Sequence, residues 1–176
     1  EDSDMPGYAD KIAEEGRWDL VNFFHALYRG YQARILTPEI VPNKPFIIPP
    51  SFYYGTHDGA GGVLQDFREQ NSVLLVLFSW PESKDRLAQL SQVYSELNKQ
   101  GAVVLAVPKS DLDSETIEHI ASVMSFPIVT QGASEIVSSY ALSRRTLSHP
   151  DIIGTGKIPE HMDFLIDPYG VLRARC

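Results

Sequence analysis

The chain has 176 residues, 43% of them hydrophobic and 22% charged, which is the profile of a folded domain of ordinary size with some additional chain. Its formal net charge of −8, with no run of Lys or Arg to offset it, excludes nucleic acid as a partner, because phosphate binding needs a basic footprint. The single cysteine, Cys176, excludes an intrachain disulfide and a cysteine-based zinc site.

The first residues, Glu1-Asp2-Ser3-Asp4, carry neither an initiator Met nor a basic start with an apolar core, and read as a piece of a longer chain. Residues 1–36 form a helical segment. From Asp10 to Tyr31, the apolar side chains Ile12, Trp18, Val21, Phe24, Leu27 and Tyr28 recur mostly at three- and four-residue spacing. Gly16 weakens the first turn, so the secure helix starts near Arg17. Its apolar face needs cover, from its own sheet or from a second copy, and a homodimer through this helix is the expectation. Residues 37–50 hold five prolines (Pro38, Pro42, Pro45, Pro49 and Pro50), which rule out a helix or a central strand and predict an extended linker.

Residues 51–176 alternate strand and helix signals. Phe52, Tyr53 and Tyr54 read as an edge strand, followed by a Gly-rich hairpin with Asp58-Gly59 at its tip. No Lys-Ser/Thr follows those glycines and no helix opens there, so they are not a phosphate loop. Val73–Phe78 is a continuous apolar run, as expected of a strand covered on both faces, and no apolar stretch approaches the roughly 20 residues that cross a bilayer. Ser83–Lys99 is an amphipathic helix with Ser83 as its cap, stopped by Gly101. Ala102–Val107 is a second buried strand. Ser114 caps a helix that runs to about Met124, Pro127–Val129 is a short strand, and Ser134–Ala141 a further helix. Asp163–Ile166 and Val171–Arg175 flank the turn Asp167-Pro168-Tyr169-Gly170 and form a hairpin. Short connections between these elements predict an α/β domain: a central mixed sheet with helices on both faces, in three layers, plus the N-terminal helix.

Several strings, in this order, carry a resemblance. They are Gly62-Val63-Leu64-Gln65-Asp66-Phe67-Arg68, the run Val73–Phe78, Ser79-Trp80-Pro81, Phe126-Pro127-Ile128-Val129, Ser139-Tyr140-Ala141-Leu142 and Phe164-Leu165-Ile166-Asp167-Pro168-Tyr169-Gly170. Over about residues 52–175 the chain resembles the redoxin branch of the thioredoxin-like proteins, which includes relatives of alkyl hydroperoxide reductase. That resemblance implies a nucleophilic cysteine just after the first buried strand, where a helix N-terminus lowers the thiol pKa. This chain has Ser79-Trp80-Pro81-Glu82-Ser83-Lys84-Asp85-Arg86 there. One register places Pro81 and Lys84 at the two cysteine positions and the other places Glu82 and Asp85, and neither offers sulfur. Ser83 has no His nearby in sequence to activate it. Cys176 follows the last strand, far along the chain from that helix.

Met5-Pro6-Gly7-Tyr8-Ala9-Asp10-Lys11-Ile12 and Arg17-Trp18-Asp19-Leu20-Val21-Asn22-Phe23-Phe24 resemble the C-terminal end of a class I cytochrome c. The resemblance implies Met5 as a haem axial ligand in the intact longer protein. This piece lacks the Cys-x-x-Cys-His that attaches haem c, so it holds no haem by itself. Together the two resemblances imply a periplasmic or membrane-anchored protein, similar to some copper-resistance D-type membrane proteins.

Five histidines (His25, His57, His119, His149 and His161) show no helical i, i+4 pair of the kind that marks a metal site. His161 is the candidate copper ligand, because it precedes Phe164-Leu165-Ile166 near the place where the resemblance to copper-delivering relatives implies a His; Met5 and Met162 are the other candidate ligands. Glu82, Asp85 and Asp163 read as solvated carboxylates. The expected function is a redox-inactive interaction module for a protein partner, with no catalytic residue and no resident cofactor. Its rivals are a copper-binding module built on His161 and a thiol-independent, peroxidase-like enzyme.

Overall fold

A computed structural model describes residues 11–33, 40, 47–141 and 160–176. The sequence expectations for Met5, His149, most of the proline-rich linker and the stretch with Gly154 and Gly156 lie outside the described residues.

The apolar runs form the core of a four-stranded mixed sheet of order β4-β3-β6-β7, with β3 at Ser72–Phe78, β4 at Ala102–Pro108, β6 at His161–Ile166 and β7 at Leu172–Arg175. β3 and β4 run parallel, from Ser72 opposite Ala102 to Phe78 opposite Pro108, while β6 is antiparallel to both β3 and β7. Side chains alternate across each strand. Val76, Phe78, Val104 and Ala106 pack against Leu87 and Leu90 of α2 (Lys84–Lys99) and Ile120 of α3 (Ser114–Val123). Val73, Leu75, Leu77 and Phe164 face the other way, against Ile136 and Tyr140 of α4 (Ala133–Ala141). The expected α/β architecture, with a mixed sheet and helices on both faces, is therefore the architecture found.

Three local readings change. The strand β1 (Tyr53–Thr56) is not an edge: it lies between β2 (Gly61–Val63) and β5 (Val129–Gln131) in a small second sheet. β5 itself starts at Val129 because Ile128 makes only an isolated parallel bridge to Ala106 of the main sheet. The cap of α3 is Asp113, whose carboxylate accepts the Thr116 N–H at 2.7 Å and is thereby held below the usual carboxylate range, so Ser114 is the first helical residue instead.

The last residues before β1 lie along the sheet. Ile47 is buried and its C=O accepts the Leu172 N–H at 2.8 Å, while the Pro50 C=O accepts the Tyr140 hydroxyl at 3.1 Å. These contacts hold this stretch against β7 and α4. The N-terminal helix α1 (Glu14–Ala33) is formed as the spacing predicts, yet its apolar stripe is open, with Trp18 62%, Phe24 61% and Tyr28 63% exposed. No helix of the described residues is long and apolar enough to cross a membrane.

Candidate site at the start of α2

β3 ends at Phe78, and the chain turns through Ser79–Ser83 before α2 begins. Three sets of hydrogen bonds close this turn. The Ser83 N–H donates to the Ser79 C=O at 2.9 Å, the Lys84 N–H donates to the Pro81 C=O at 3.0 Å, and the Ser79 N–H donates across to the Glu160 C=O at 2.8 Å. The peptide between Trp80 and Pro81 is cis.

Ser83 stands at the cap position but does not cap. Its hydroxyl makes no bond to the helix amides; it accepts from the Ser79 N–H at 3.2 Å and donates to the Glu160 C=O at 3.1 Å. Ser83 as a whole is 1% exposed. A hydroxyl so placed joins the turn to the start of β6. It offers no nucleophile to solvent, because its proton is engaged and its oxygen is covered.

His161 opens β6 opposite Phe78, so it sits beside this turn and is exposed, as are Pro81, Glu82, Lys84 and Asp85. The fold also brings in His119 of α3, whose ring meets Trp80 edge-on with centroids 6.1 Å apart. Nothing in the local sequence signalled that contact, which depends on how α3 crosses the sheet. Met162 does not stand beside His161 as a copper ligand. It is 3% exposed and belongs to the core on the α4 face, because alternation turns it away from its neighbour His161. Among the described residues no three His, Cys, Asp or Glu side chains gather where a metal ion could sit.

Asp163 is the residue the sequence misplaced. It is 3% exposed, opposite Val76, and its Oδ2 pairs with Arg86 of the first turn of α2 at 2.5 Å. Its Oδ1 has no hydrogen-bond partner among the described residues. The carboxylate hydrogen bond holds the Arg86 guanidinium above its ordinary pKa. Period-two reading of Met162-Asp163-Phe164 contains the signal. In a strand covered on both faces, the residue between two core side chains faces the opposite helix, and a carboxylate there needs a cation.

Cys176 is far along the chain from α2 but not far in space. Its N–H donates to the Asp163 C=O at 2.9 Å and its C=O accepts the Asp163 N–H at 3.1 Å, which brings its thiol into the field of the Asp163–Arg86 pair. Burial first, and then the Asp163 charge, push the thiol pKa up, with Arg86 pulling the other way. That is the reverse of the activation a nucleophilic thiol needs.

No protein-family model matches the chain, and no curated protein matches it. Solved structures do. The thioredoxin domain of a thiol-disulfide oxidoreductase from Bacteroides vulgatus superposes with a TM-score of 0.52 at 15% identity, covering 80% of this chain and 88% of that one. StoA from Bacillus subtilis gives 0.53 at 18% identity, over 73% and 88%. The bacterioferritin comigratory protein of Xanthomonas campestris, described for its alkyl peroxide reduction activity, gives 0.53 at 17% identity, over 70% and 78%. Likeness at these identities establishes the architecture, and the chain has a thioredoxin-like fold.

Proposed function

We propose that this chain is a thioredoxin-like interaction domain without thiol–disulfide chemistry, belonging to a longer periplasmic or membrane-anchored protein with an electron-transfer or copper-related role. The enclosure of Ser83 carries the reading. At the turn where the resemblance implies a reactive sulfur, the Ser83 hydroxyl is buried and doubly hydrogen-bonded, and the single thiol of the chain has its pKa raised. What remains accessible is a surface for a protein partner, made of Pro81, Glu82 and His161 around the half-buried Trp80. The open stripe of α1 supports a second contact, a homodimer through Trp18, Val21, Phe24 and Tyr28.

Disulfide reduction and peroxide turnover by the intact chain and by Cys176→Ser test the proposal. Neither protein is expected to exceed the uncatalysed rate. Turnover that Cys176→Ser abolishes would make the chain a one-cysteine enzyme, and turnover that both share would make it a thiol-independent one. Stoichiometric copper binding that His161→Ala removes would replace the interaction reading with a metal-binding one. For the dimer, Trp18→Ser with Phe24→Ser is expected to halve the sedimenting mass, and an unchanged mass would remove α1 from the interface.

A further inference from the structure

The opposite end of β3 carries a feature that the proposed function does not use. Five residues back from Phe78, about 16 Å along the strand, Val73 borders a partly enclosed cavity of 280 Å³. Leu64, Phe67, Val73 and Ile166 line its floor, and Ile48 and Pro49 form a wall. The volume lies near the lower end of the range of small-molecule sites, about 300–1,000 Å³, whose usual make-up is an apolar lining with a few placed polar groups.

The polar groups at this cavity are nearly all committed. Asn71 donates its Nδ2 hydrogen to the Gly101 C=O at 3.2 Å, and Gln65 donates from Nε2 to the Ser51 hydroxyl at 2.5 Å. Asp167 accepts the N–H groups of Tyr169 and Val171 on Oδ1, at 3.0 and 2.9 Å, and its Oδ2 stands 3.5 Å from Arg173. Arg68 is the exception: among the described residues its exposed guanidinium has no carboxylate partner. It also lies directly over Gly170, where a Cβ would stand 2.6 Å from Nε. Gly170 has a φ of +76°, which favours glycine for the turn, and the Arg68 side chain lies over the space its missing Cβ leaves at the cavity edge.

We propose that this cavity binds a small monocarboxylate with an unbranched apolar tail, the tail against Leu64, Val73 and Ile166 and the carboxylate on the Arg68 guanidinium. Arg68 supplies the planar pair of N–H donors that a carboxylate accepts in a fork. Because Arg173 and two backbone amides already satisfy Asp167, that carboxylate does not compete for Arg68. A neutral tail alone would leave the guanidinium unused, and a dianion would meet Asp167 at the same rim.

The test is a titration of the full chain with octanoate, followed by amide chemical shifts, with acetate and 1-octanol as probes of charge without tail and tail without charge. Saturable one-to-one binding is expected, with shifts at Leu64, Val73 and Ile166, and with both control probes weaker by at least about tenfold: 1-octanol for want of the hydrogen bond to a charged group, acetate for want of the buried tail. Arg68→Ala is expected to weaken octanoate by a similar factor without changing the response to 1-octanol, and Arg68→Lys to recover part of the loss. Arg68 is exposed, so these variants are expected to fold, which circular dichroism checks. No saturation, equal binding by Arg68→Ala, or shifts confined to Trp18 and Phe24 of α1 would each overturn the proposal.

Discussion

The two ends of β3 make opposite use of polar groups. At the Phe78 end, where the chain turns into α2, the Ser79 amide, the Ser83 hydroxyl and the Glu160 carbonyl satisfy one another. Just inside, Asp163 meets Arg86. At the Val73 end the side chains around the cavity are equally well paired, apart from one guanidinium facing solvent. A polar group satisfied within the fold stabilises it but has little left to offer a ligand, whereas an unpaired donor beside apolar surface keeps its capacity for one. The two ends of one strand thus diverge in role through which polar groups find partners, even though the backbone is shared.

The largest expected effect lies at the buried ion pair. Arg86→Ala leaves the Asp163 carboxylate without its cation and is expected to cost about 3 kcal/mol in urea denaturation, the low end of the range for breaking a buried pair because Arg86 is partly exposed. Asp163→Leu removes the charge together with its unpartnered Oδ1 and is expected to cost less than Arg86→Ala. Equal losses would show that the Asp163 carboxylate costs nothing extra when its cation is removed. Ser83→Ala comes next: it strips one partner each from Ser79 and Glu160, and a loss of about 1–2 kcal/mol is expected in the same measurement. No loss would mean that the backbone bonds alone close the turn.

Smaller effects concern the thiol. Because Asp163 raises the Cys176 pKa and Arg86 lowers it, Asp163→Asn should move the pH profile of iodoacetamide alkylation to lower pH, and Arg86→Ala to higher pH. The sign follows from the thiolate, which a neighbouring negative charge disfavours and a positive charge favours. Profiles that coincide would place Cys176 outside the field of the pair. Smallest of all, in a Cys176→Ser background, Glu82→Cys should react with a thiol reagent at the rate of a free thiol, whereas Ser83→Cys should react only on unfolding, given the exposure of one position and the burial of the other. Equal rates would show that the turn opens readily and would narrow the contrast between the two ends.

Much of the fold was legible in the residues. The continuous run at Val73–Phe78, the amphipathic spacing of Leu87 and Leu90, and the turn at Asp167-Pro168-Tyr169-Gly170 each carry their own local cause: burial on both faces, a 3.6-residue period, and a glycine at positive φ. The absence of sulfur from the start of α2 was equally plain, since it is a matter of residue type. Tertiary structure decided the rest, because it turns on pairings between distant residues. Asp163 reads as a solvated carboxylate until β6 is placed between β3 and β7 with Arg86 above it. Ser83 reads as a helix cap until the Glu160 carbonyl arrives from 77 residues away. The Arg68 cavity has no sequence signature at all, since its walls come from the segment before β1, the turn after β2 and the β6–β7 hairpin. Local periodicity fixes which face of an element is buried, but only the packed chain determines which polar groups find partners and which are left over.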